Sequence, residues 1–283
     1  MDFRQTTILD LTQQVQTGQT SCKALVTAAL QNIHRLDPVI NAFCAVDDAR
    51  ALDEAAKIDQ RLAAGEHLPL AGIPFGVKDL EDAQGYITTF GSAFHTEDAP
   101  ALEDSELVRR LRAAGAIVVG KTNTPEFGYK GKTDNVPFGV TKNPWDLTRT
   151  PGGSSGGSSA ALAAGMVPLA TGSDGGGSIR IPAALCGLSG IKTSQGRVPN
   201  GGPKPTGSGL LTVKGPMTRR IRDAAFVLDQ CIGAEPTDIF SLPAPNAPWA
   251  PQLDGALPEA VIWSPTMGIT SCDAEILALC EGA

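Results

Sequence analysis

The sequence predicts an α/β protein in which a mostly parallel mixed β-sheet is flanked by α-helices on both faces. Short apolar runs that are typical of buried strands occur at residues 72–77, 116–119 and 166–170. Segments with the periodicity of amphipathic helices alternate with these runs. Strands that are buried on both faces have continuous apolar runs, and their alternation with helices is the pattern of a parallel sheet with helices on either side.

Three segments have apolar residues at helical spacing. The first covers residues 20–36, where a threonine or a serine at the start can cap the first turn. The other two cover residues 48–62 and 104–114, and Gly115 can end the last of them. A further helix is predicted to begin near Asp273 and to stop within a few residues.

The length and composition indicate a globular chain with a single domain over residues 1–283. The formal net charge of −7 argues against nucleic acid as a direct ligand, because counterion release needs clustered Lys and Arg. No apolar stretch approaches the roughly 18 residues of a membrane helix, and the N-terminus lacks the basic start and apolar run of an export signal. We therefore expect a cytoplasmic protein with no membrane partner.

The six cysteines are scattered along the chain, and neither a C-x-x-C pair nor a histidine-rich cluster accompanies them. Metal sites built from cysteine or histidine usually show such spacing. We expect reduced, mostly buried thiols and no metal.

The segment between residues 151 and 177 is rich in glycine and serine, but it does not have the character of a flexible linker. The run Ala160–Ala164 is a strong helix former and interrupts it. The segment is therefore predicted to form a loop, a helix, a strand and a second loop, with glycines where the backbone must approach another group closely.

Residues 115–122 match the G-x-x-x-x-G-K-[ST] phosphate-loop pattern, but the variable positions are apolar and β-forming. A phosphate loop follows a strand and opens a helix. This segment follows a predicted helix, so we interpret it as a buried strand without a nucleotide site.

Two other patterns contain a serine. Residues 189–192 match the S-x-x-K of penicillin-recognising enzymes, but no S-D-N or K-T-G motif follows. Residues 152–156 match the G-x-S-x-G nucleophile elbow of α/β-hydrolases, in which an acid and a histidine come later in the chain. His34, His67 and His95 all precede these serines, so that order cannot be built, and we interpret them as ordinary surface or core residues.

A serine nucleophile without a histidine needs another base, and Lys78 is a candidate. It follows the apolar run 70–77, so its amine would lie at the end of a buried strand. Desolvation favours the neutral amine, which can accept a proton. The alternative is that Lys78 and Asp79 form a surface turn.

Three consecutive glycines precede Ser178, where a loop enters a short predicted helix. The backbone N–H groups of such a run can converge on one point, and the helix N-terminus adds positive potential. The arrangement suits an oxyanion hole for acyl transfer. An anion-binding loop without chemistry is the alternative.

These residues together resemble the amidase signature family, over most of the chain from about residue 5 to 235. The matching segments are GIPFGVKD at 72–79, NPWD at 143–146, GGSSGG at 152–157, GSDGGGSIRIPAA at 172–184, and residues 187–192 and 215–217. The resemblance implies an α/β amidase fold with its catalytic core at about residues 65–235 and no metal or organic cofactor.

The resemblance also implies roles for individual residues. They are Lys78, Ser154 and Ser178 as a catalytic triad, Gly175, Gly176 and Gly177 as the oxyanion hole, and Ser155, Asp174 and Arg180 as supporting residues. In this family the relay serine follows a cis peptide bond, which here would join Gly153 to Ser154. Ser178 would attack the amide carbon, Ser154 would relay its proton, and Lys78 would accept that proton.

The chain departs from the usual family pattern at three places. Gly175 stands where a larger residue is usual, and Ser173 stands where threonine is more usual. Family members normally also continue well beyond residue 283, so we expect the C-terminal part of the family fold to be missing.

The implied function is hydrolysis of the C–N bond of a small-molecule amide through a serine acyl-enzyme. Two alternatives stay open. One is the glutaminase component of a tRNA-dependent amidotransferase, although residues 123–128 resemble free amidases more. The other is a non-catalytic fragment that keeps the glycine loops as an anion-binding module.

Overall fold

In a computed structural model of the chain, the described residues are 1–201, 211–256, 259–260 and 262–282. They form two compact units, Met1–Ala250 and Pro251–Ala283. The expectation of a single domain over the whole chain stays a prediction.

The first unit contains the sheet and most of the helices, and the second contains the last helix. The helices are α1 (Ile8–Gln16), α2 (Cys22–Ile40), α3 (Asp48–Ala63), α4 (Glu106–Ala113), α5 (Gly156–Ala163), α6 (Arg180–Cys186), α7 (Ile221–Cys231) and α8 (Ala274–Glu281). The strands are β1 (Phe43–Val46), β2 (Pro74–Lys78), β3 (Ile117–Thr122), β4 (Asp134–Asn135), β5 (Gly139–Val140), β6 (Leu169–Asp174) and β7 (Val213–Thr218).

Five strands form one mixed sheet in the order β1-β3-β2-β6-β7. The three central strands are parallel, and the edge strands β1 and β7 pair antiparallel with their neighbours. Every residue of β2, β3 and β6 is buried, so both faces of the centre of the sheet are covered. The predicted fold class, a mostly parallel sheet with helices on both faces, is confirmed.

The predicted helices and strands are present with shifted ends. Ser21 caps α2 by accepting a hydrogen bond from the Ala24 N–H, and Gly115, with φ of +98°, follows α4. The predicted run 166–170 becomes β6 at 169–174, which extends into polar residues. This strand was predicted from its apolar residues alone. The prediction therefore missed the end of the strand, which is buried although its side chains are polar.

The segment that matches the phosphate-loop pattern forms β3, as predicted. Both Lys121 and Thr122 of the pattern are strand residues and are fully buried. The segment is therefore part of the sheet and not a loop at a helix N-terminus.

Other expectations concern the cysteines, the last helix and the membrane. All six cysteines are free. Cys22, Cys186 and Cys231 are buried, Cys44 is partly buried, and Cys272 and Cys280 are exposed, so the expectation of mostly buried thiols holds for half of them. In the second unit Asp273 caps α8 by accepting a hydrogen bond from the Glu275 N–H. None of the helices in the described ranges has both the length and the apolar character that a membrane crossing requires.

The first turn of α5 packs directly on backbone at the end of β3. The Gly157 N–H donates to the Asn123 carbonyl at 3.0 Å. A methyl group on Gly157 would lie 2.3 Å from Asn123 N and 2.5 Å from the Ala42 carbonyl oxygen. Backbone atoms cannot move aside as a flexible side chain can, so only glycine allows α5 to approach the sheet this closely.

We expect Gly157→Ala to lower the free energy of unfolding by about 3 kcal/mol, because the added methyl group overpacks a site bounded by backbone. Chemical denaturation of the two proteins measures this difference. Gly131→Ala is the matched control, since a methyl group there would meet open space. We expect it to change stability by less than about 0.5 kcal/mol, and an equal loss in both variants would contradict a role for close approach at Gly157.

Candidate active site

Lys78 ends β2 and is fully buried, with 0% of its surface exposed. Its Nζ atom lies 2.8 Å from the Ser154 hydroxyl, 2.8 Å from the Ser155 hydroxyl and 3.0 Å from the Ser173 hydroxyl. All three partners are uncharged. Asp79 is also buried, so the alternative of a surface turn is wrong.

Ser154 and Ser155 reach Lys78 because they immediately precede α5. The Gly153–Ser154 peptide bond is cis, as the resemblance implied. The Ser154 carbonyl accepts a hydrogen bond from the Thr124 hydroxyl at 2.9 Å. These two residues are therefore held from both sides, by the helix that follows and by the segment after β3.

Two residues of the neighbouring strand β6, Ser173 and Thr171, also touch Lys78, although no contact was predicted for either of them. The Lys78 backbone N–H donates to the Thr171 hydroxyl at 2.9 Å, and Lys78 Nζ donates to Ser173. Residues two apart on a strand face the same side. Two hydroxyl residues at that spacing were the signal that could have identified this polar edge of the cluster.

Burial lowers the pKa of Lys78 from its ordinary value to about 7. The charges of Glu81 and Asp174 act in the opposite direction, but their effect is smaller. At neutral pH a substantial fraction of this lysine is therefore the free amine. Its lone pair can accept a hydrogen bond from one serine hydroxyl while its two N–H groups donate to the other two.

A second lysine, Lys121, is fully buried in a different environment. Its Nζ lies 3.1 Å from a carboxylate oxygen of Asp79. It also donates to the Glu81 carbonyl at 2.7 Å and to the Thr88 hydroxyl at 2.8 Å. Lys121 therefore neutralises a buried carboxylate, whereas Lys78 has hydroxyl neighbours and is the candidate base.

Asp174, the last residue of β6, organises the loop that carries Ser178. Its carboxylate accepts hydrogen bonds from the N–H groups of Gly177 at 2.7 Å and Ile179 at 3.3 Å, and from Arg180 Nε at 2.9 Å. Burial by itself would raise the pKa of Asp174, but these hydrogen bonds outweigh it and lower the pKa to about 2. The bracing contact between Asp174 and Arg180 that the resemblance implied is present.

The same contacts bear on the expected oxyanion hole. The Gly177 N–H is donated to Asp174, so it is not a free donor in this structure. Gly175 and Gly176 lie exposed just before it. Their N–H groups are the candidate donors on this loop.

Ser178 lies just before α6 and is partly exposed. Its backbone carbonyl accepts a hydrogen bond from the Ser155 N–H at 3.2 Å. Ser155 thus contacts Lys78 through its side chain and Ser178 through its backbone. The structure brings Lys78, Ser154, Ser155 and the Ser178 backbone into one cluster, and the role of the Ser178 hydroxyl stays a prediction.

The histidines make contacts elsewhere. His34 Nε2 lies 2.7 Å from Asp48, and its side chain is 58% exposed. His95 Nδ1 lies 2.8 Å from Asp98, and His67 is exposed. None of the three is among the hydrogen-bond partners of Lys78 in the described part of the chain.

The fold and the cluster define a class of protein. In these α/β proteins a buried lysine amine is hydrogen-bonded to serine hydroxyls close to a glycine-rich loop. The chain belongs to the amidase signature family, since the model of the Amidase family matches residues 24–267.

Individual relatives agree with this assignment. AmiB2 of Mycobacterium tuberculosis (strain ATCC 25618 / H37Rv), a putative amidase, is 50% identical over 212 residues, which are 75% of this chain and 45% of AmiB2. One component of the glutamyl-tRNA(Gln) amidotransferase of Roseiflexus castenholzii is 44% identical over 253 residues, which are 89% of this chain and 50% of that component. The structure of 6-aminohexanoate cyclic dimer hydrolase superposes with a TM-score of 0.87 at 35% identity, covering 100% of this chain and 58% of that one. The chain spans about half the length of the curated relatives it matches.

The lowered pKa of Lys78 makes the stability of the protein depend on pH. The pKa is about 7 in the folded state and 10.5 as the ordinary value, so between these limits the unfolded state binds more protons. Stability contributed by this group therefore rises with pH across that window and is lost as pH falls toward 7. We expect the free-energy difference between Lys78→Met and the natural chain to change by up to about 1.4 kcal/mol per pH unit between about pH 7 and 10.

Denaturant unfolding at several pH values measures this change, and the comparison removes any constant packing effect of the methionine. Lys57→Met is the matched control, because Lys57 is an exposed lysine paired with Asp53. Its stability curve should run parallel to that of the natural chain. A parallel curve for Lys78→Met would show that Lys78 is charged throughout this window.

Proposed function

We propose that this chain carries the catalytic centre of an amidohydrolase that cleaves carboxylic amide C–N bonds, in particular those of small linear amides, through an acyl-enzyme on Ser178. The observation that supports this proposal most is the buried Lys78 amine at 2.8 Å from the Ser154 hydroxyl. A neutral amine in contact with a serine hydroxyl is a base poised to activate a nucleophile.

In the proposed first step, the Ser178 hydroxyl oxygen attacks the amide carbon. Its proton passes to the Ser154 oxygen while the Ser154 proton passes to Lys78 Nζ. The attack forms a tetrahedral intermediate, and Lys78 becomes an ammonium ion. Ser155 and Ser173 accept hydrogen bonds from that ammonium, so two contacts that hold the amine also stabilise the charge it acquires.

The negative charge of the tetrahedral intermediate needs donors that are already in place. The N–H groups of the exposed residues Gly175 and Gly176 are the proposed donors, on a loop that Asp174 and Arg180 brace. Each such donor is worth about 3 kcal/mol of transition-state stabilisation in serine hydrolases.

Collapse of the intermediate breaks the C–N bond. The Lys78 ammonium ion returns a proton to Ser154, and the Ser154 hydroxyl passes its proton to the leaving nitrogen. Deacylation repeats the same sequence with water as the nucleophile. Water gives its proton to the relay, its oxygen bonds to the acyl carbon, and Ser178 leaves with a proton. The products are a carboxylic acid and an amine or ammonia. These steps account for every bond and proton without a metal or a redox partner.

A fluorophosphonate probe tests the identity of the nucleophile. We expect the probe to label the natural chain on Ser178, as read by peptide mass spectrometry, and to abolish turnover of simple amides. Ser178→Ala should lose both label and turnover, because the attacking oxygen is gone. Ser189→Ala, in the S-x-x-K segment, is the matched control and should retain both.

Label on another residue would overturn the assignment of Ser178. A folded chain that takes no label and hydrolyses no amide would instead favour the non-catalytic anion-binding module.

The pH dependence of the reaction tests the base. Since Lys78 must be neutral to accept a proton and its pKa is about 7, we expect the rate of probe labelling to fall about tenfold per pH unit below that value and to level off above it. Lys78→Met should slow labelling by at least about 100-fold.

The ionisation of a histidine could also make the labelling rate fall at low pH, which gives the pH–rate profile a falling limb. The variant His95→Gln is the control for the origin of this limb. We expect the position of the limb to stay unchanged in this variant. A limb that disappears with His95 would assign the base to the histidine.

One observation favours a second candidate, the glutaminase component of an amidotransferase. The amidotransferase component of Roseiflexus castenholzii matches 89% of this chain, which is a larger share than AmiB2 matches. Ammonia release from glutamine, compared with turnover of simple aliphatic and aryl amides, separates the two candidates. Preference for glutamine would favour the amidotransferase component, and turnover of simple amides without glutamine hydrolysis would favour the free amidase.

A further inference from the structure

Three aromatic side chains from two separate segments form a cluster next to the serine–lysine centre. The Phe90 and Phe127 rings are stacked, with centroids 6.2 Å apart and planes at 24°. The His95 ring meets both rings edge-on, at 5.3 Å from Phe90 and 6.0 Å from Phe127. Asp98 fixes the orientation of His95 through the contact with Nδ1. We call Phe90, His95 and Phe127 the aromatic wall.

One segment of the wall lies beside a proposed catalytic residue, and the other is held by the residue that follows Lys78. A methyl group on Gly128, the residue after Phe127, would lie 3.2 Å from the Ser154 hydroxyl oxygen. On the other segment, the Thr89 N–H donates to Asp79 at 3.2 Å, and Asp79 directly follows Lys78. The Phe127 segment therefore lies one residue away from a contact with Ser154, and the Phe90 segment is tied to Asp79, the residue after Lys78, whose carboxylate pairs with Lys121.

The backbone of the wall is held in a conformation that aromatic residues rarely adopt. Phe90 has φ of 55° and Phe127 has φ of 50°, which is the left-handed region that favours glycine. The Phe127 N–H donates to the Phe90 carbonyl at 2.7 Å and locks the two segments together. Strained conformations of this kind persist where the surroundings enforce them, and they cluster at functional sites.

The strain does not serve to bury the Phe127 ring. Phe127 is 57% exposed even though its ring contacts two other rings. A large apolar side chain that is held in place and left open has a free surface for another apolar group. Because aromatic rings prefer stacked or edge-to-face partners, a flat aromatic group suits this surface better than an alkyl group.

We propose that the aromatic wall is a subsite that binds an aromatic group of the amide substrate, with Phe127 as a specificity-determining residue. This inference rests on the proposed function and extends it to a substrate class, namely amides that carry an aryl group on the acyl or the amine side. The wall holds the ring while the serine–lysine centre cleaves the adjacent C–N bond.

Matched substrates test the proposal in the full chain. Benzamide and cyclohexanecarboxamide carry a phenyl or a cyclohexyl ring on the acyl side, and acetanilide and N-cyclohexylacetamide carry these rings on the amine side. The members of a pair also differ in intrinsic reactivity, but that difference cancels when the ratio of kcat/KM within a pair is compared between two protein variants. We expect the natural chain to prefer the aromatic member of at least one pair in kcat/KM. In Phe127→Leu we expect that preference to fall about fivefold, mainly through KM, because leucine keeps the apolar bulk but loses the ring contact.

Phe94→Leu is the matched control, since Phe94 is an 88% exposed phenylalanine in the His95 segment without a ring partner in the described part of the chain. Its aromatic preference should be unchanged. The preference is a ratio within one protein, so partial loss of folded protein cancels. The pair whose ratio falls assigns the wall to the acyl or the amine side.

An unchanged ratio in Phe127→Leu, or an equal fall in Phe94→Leu, would overturn the subsite. If the natural chain hydrolyses no amide, the proposed function fails, and the subsite is then tested by calorimetric binding of benzamide and cyclohexanecarboxamide to Ser178→Ala. Tighter binding of benzamide that is lost when Phe127→Leu is added would support the wall on its own, and equal binding of both amides would reject it.

Discussion

The candidate site depends on the desolvation of one lysine amine. Lys78 Nζ is surrounded by hydroxyl groups and lies inside the protein, where burial makes the charged form costly. A lysine at the surface would be protonated at neutral pH and could not act as a base. Three features exclude water from this amine and still satisfy its hydrogen bonds. They are the buried sheet, the close approach of α5 and the hydroxyl residues of β6.

The two buried lysines show how small differences in position decide chemistry. The register of β2 and β3 pairs Val77 with Lys121 and Lys78 with Thr122, so the two lysine side chains point to opposite faces of the sheet. On one face a carboxylate is within reach, and the lysine forms an ion pair. On the other face the partners are serine hydroxyls, and burial shifts the lysine toward the neutral amine.

The glycine-rich loops contribute in two ways that differ physically. Glycine allows close approach of backbone to backbone at the start of α5. At Gly128, which has φ of +69°, an added methyl group would lie 2.7 Å from a Leu80 methyl group and 3.2 Å from the Ser154 hydroxyl oxygen. On the loop before Ser178 the main constraint is electrostatic, because the Asp174 carboxylate gathers backbone N–H groups and Arg180 around itself. That carboxylate uses the Gly177 N–H, which was expected to line the oxyanion hole.

Local sequence was sufficient to predict the fold class, the central strands, three main helices and the candidate base, because apolar runs, helical periodicity and long motifs are properties of short stretches of chain. It did not predict the edge strands β1 and β7, whose pairing depends on distant partners. The set of hydroxyls around Lys78 is a product of folding, since Ser154 and Ser173 lie 76 and 95 residues away along the chain. The aromatic wall likewise arises only on folding, because Phe90 and Phe127 meet when the segments after β2 and β3 fold against each other at the same end of the sheet.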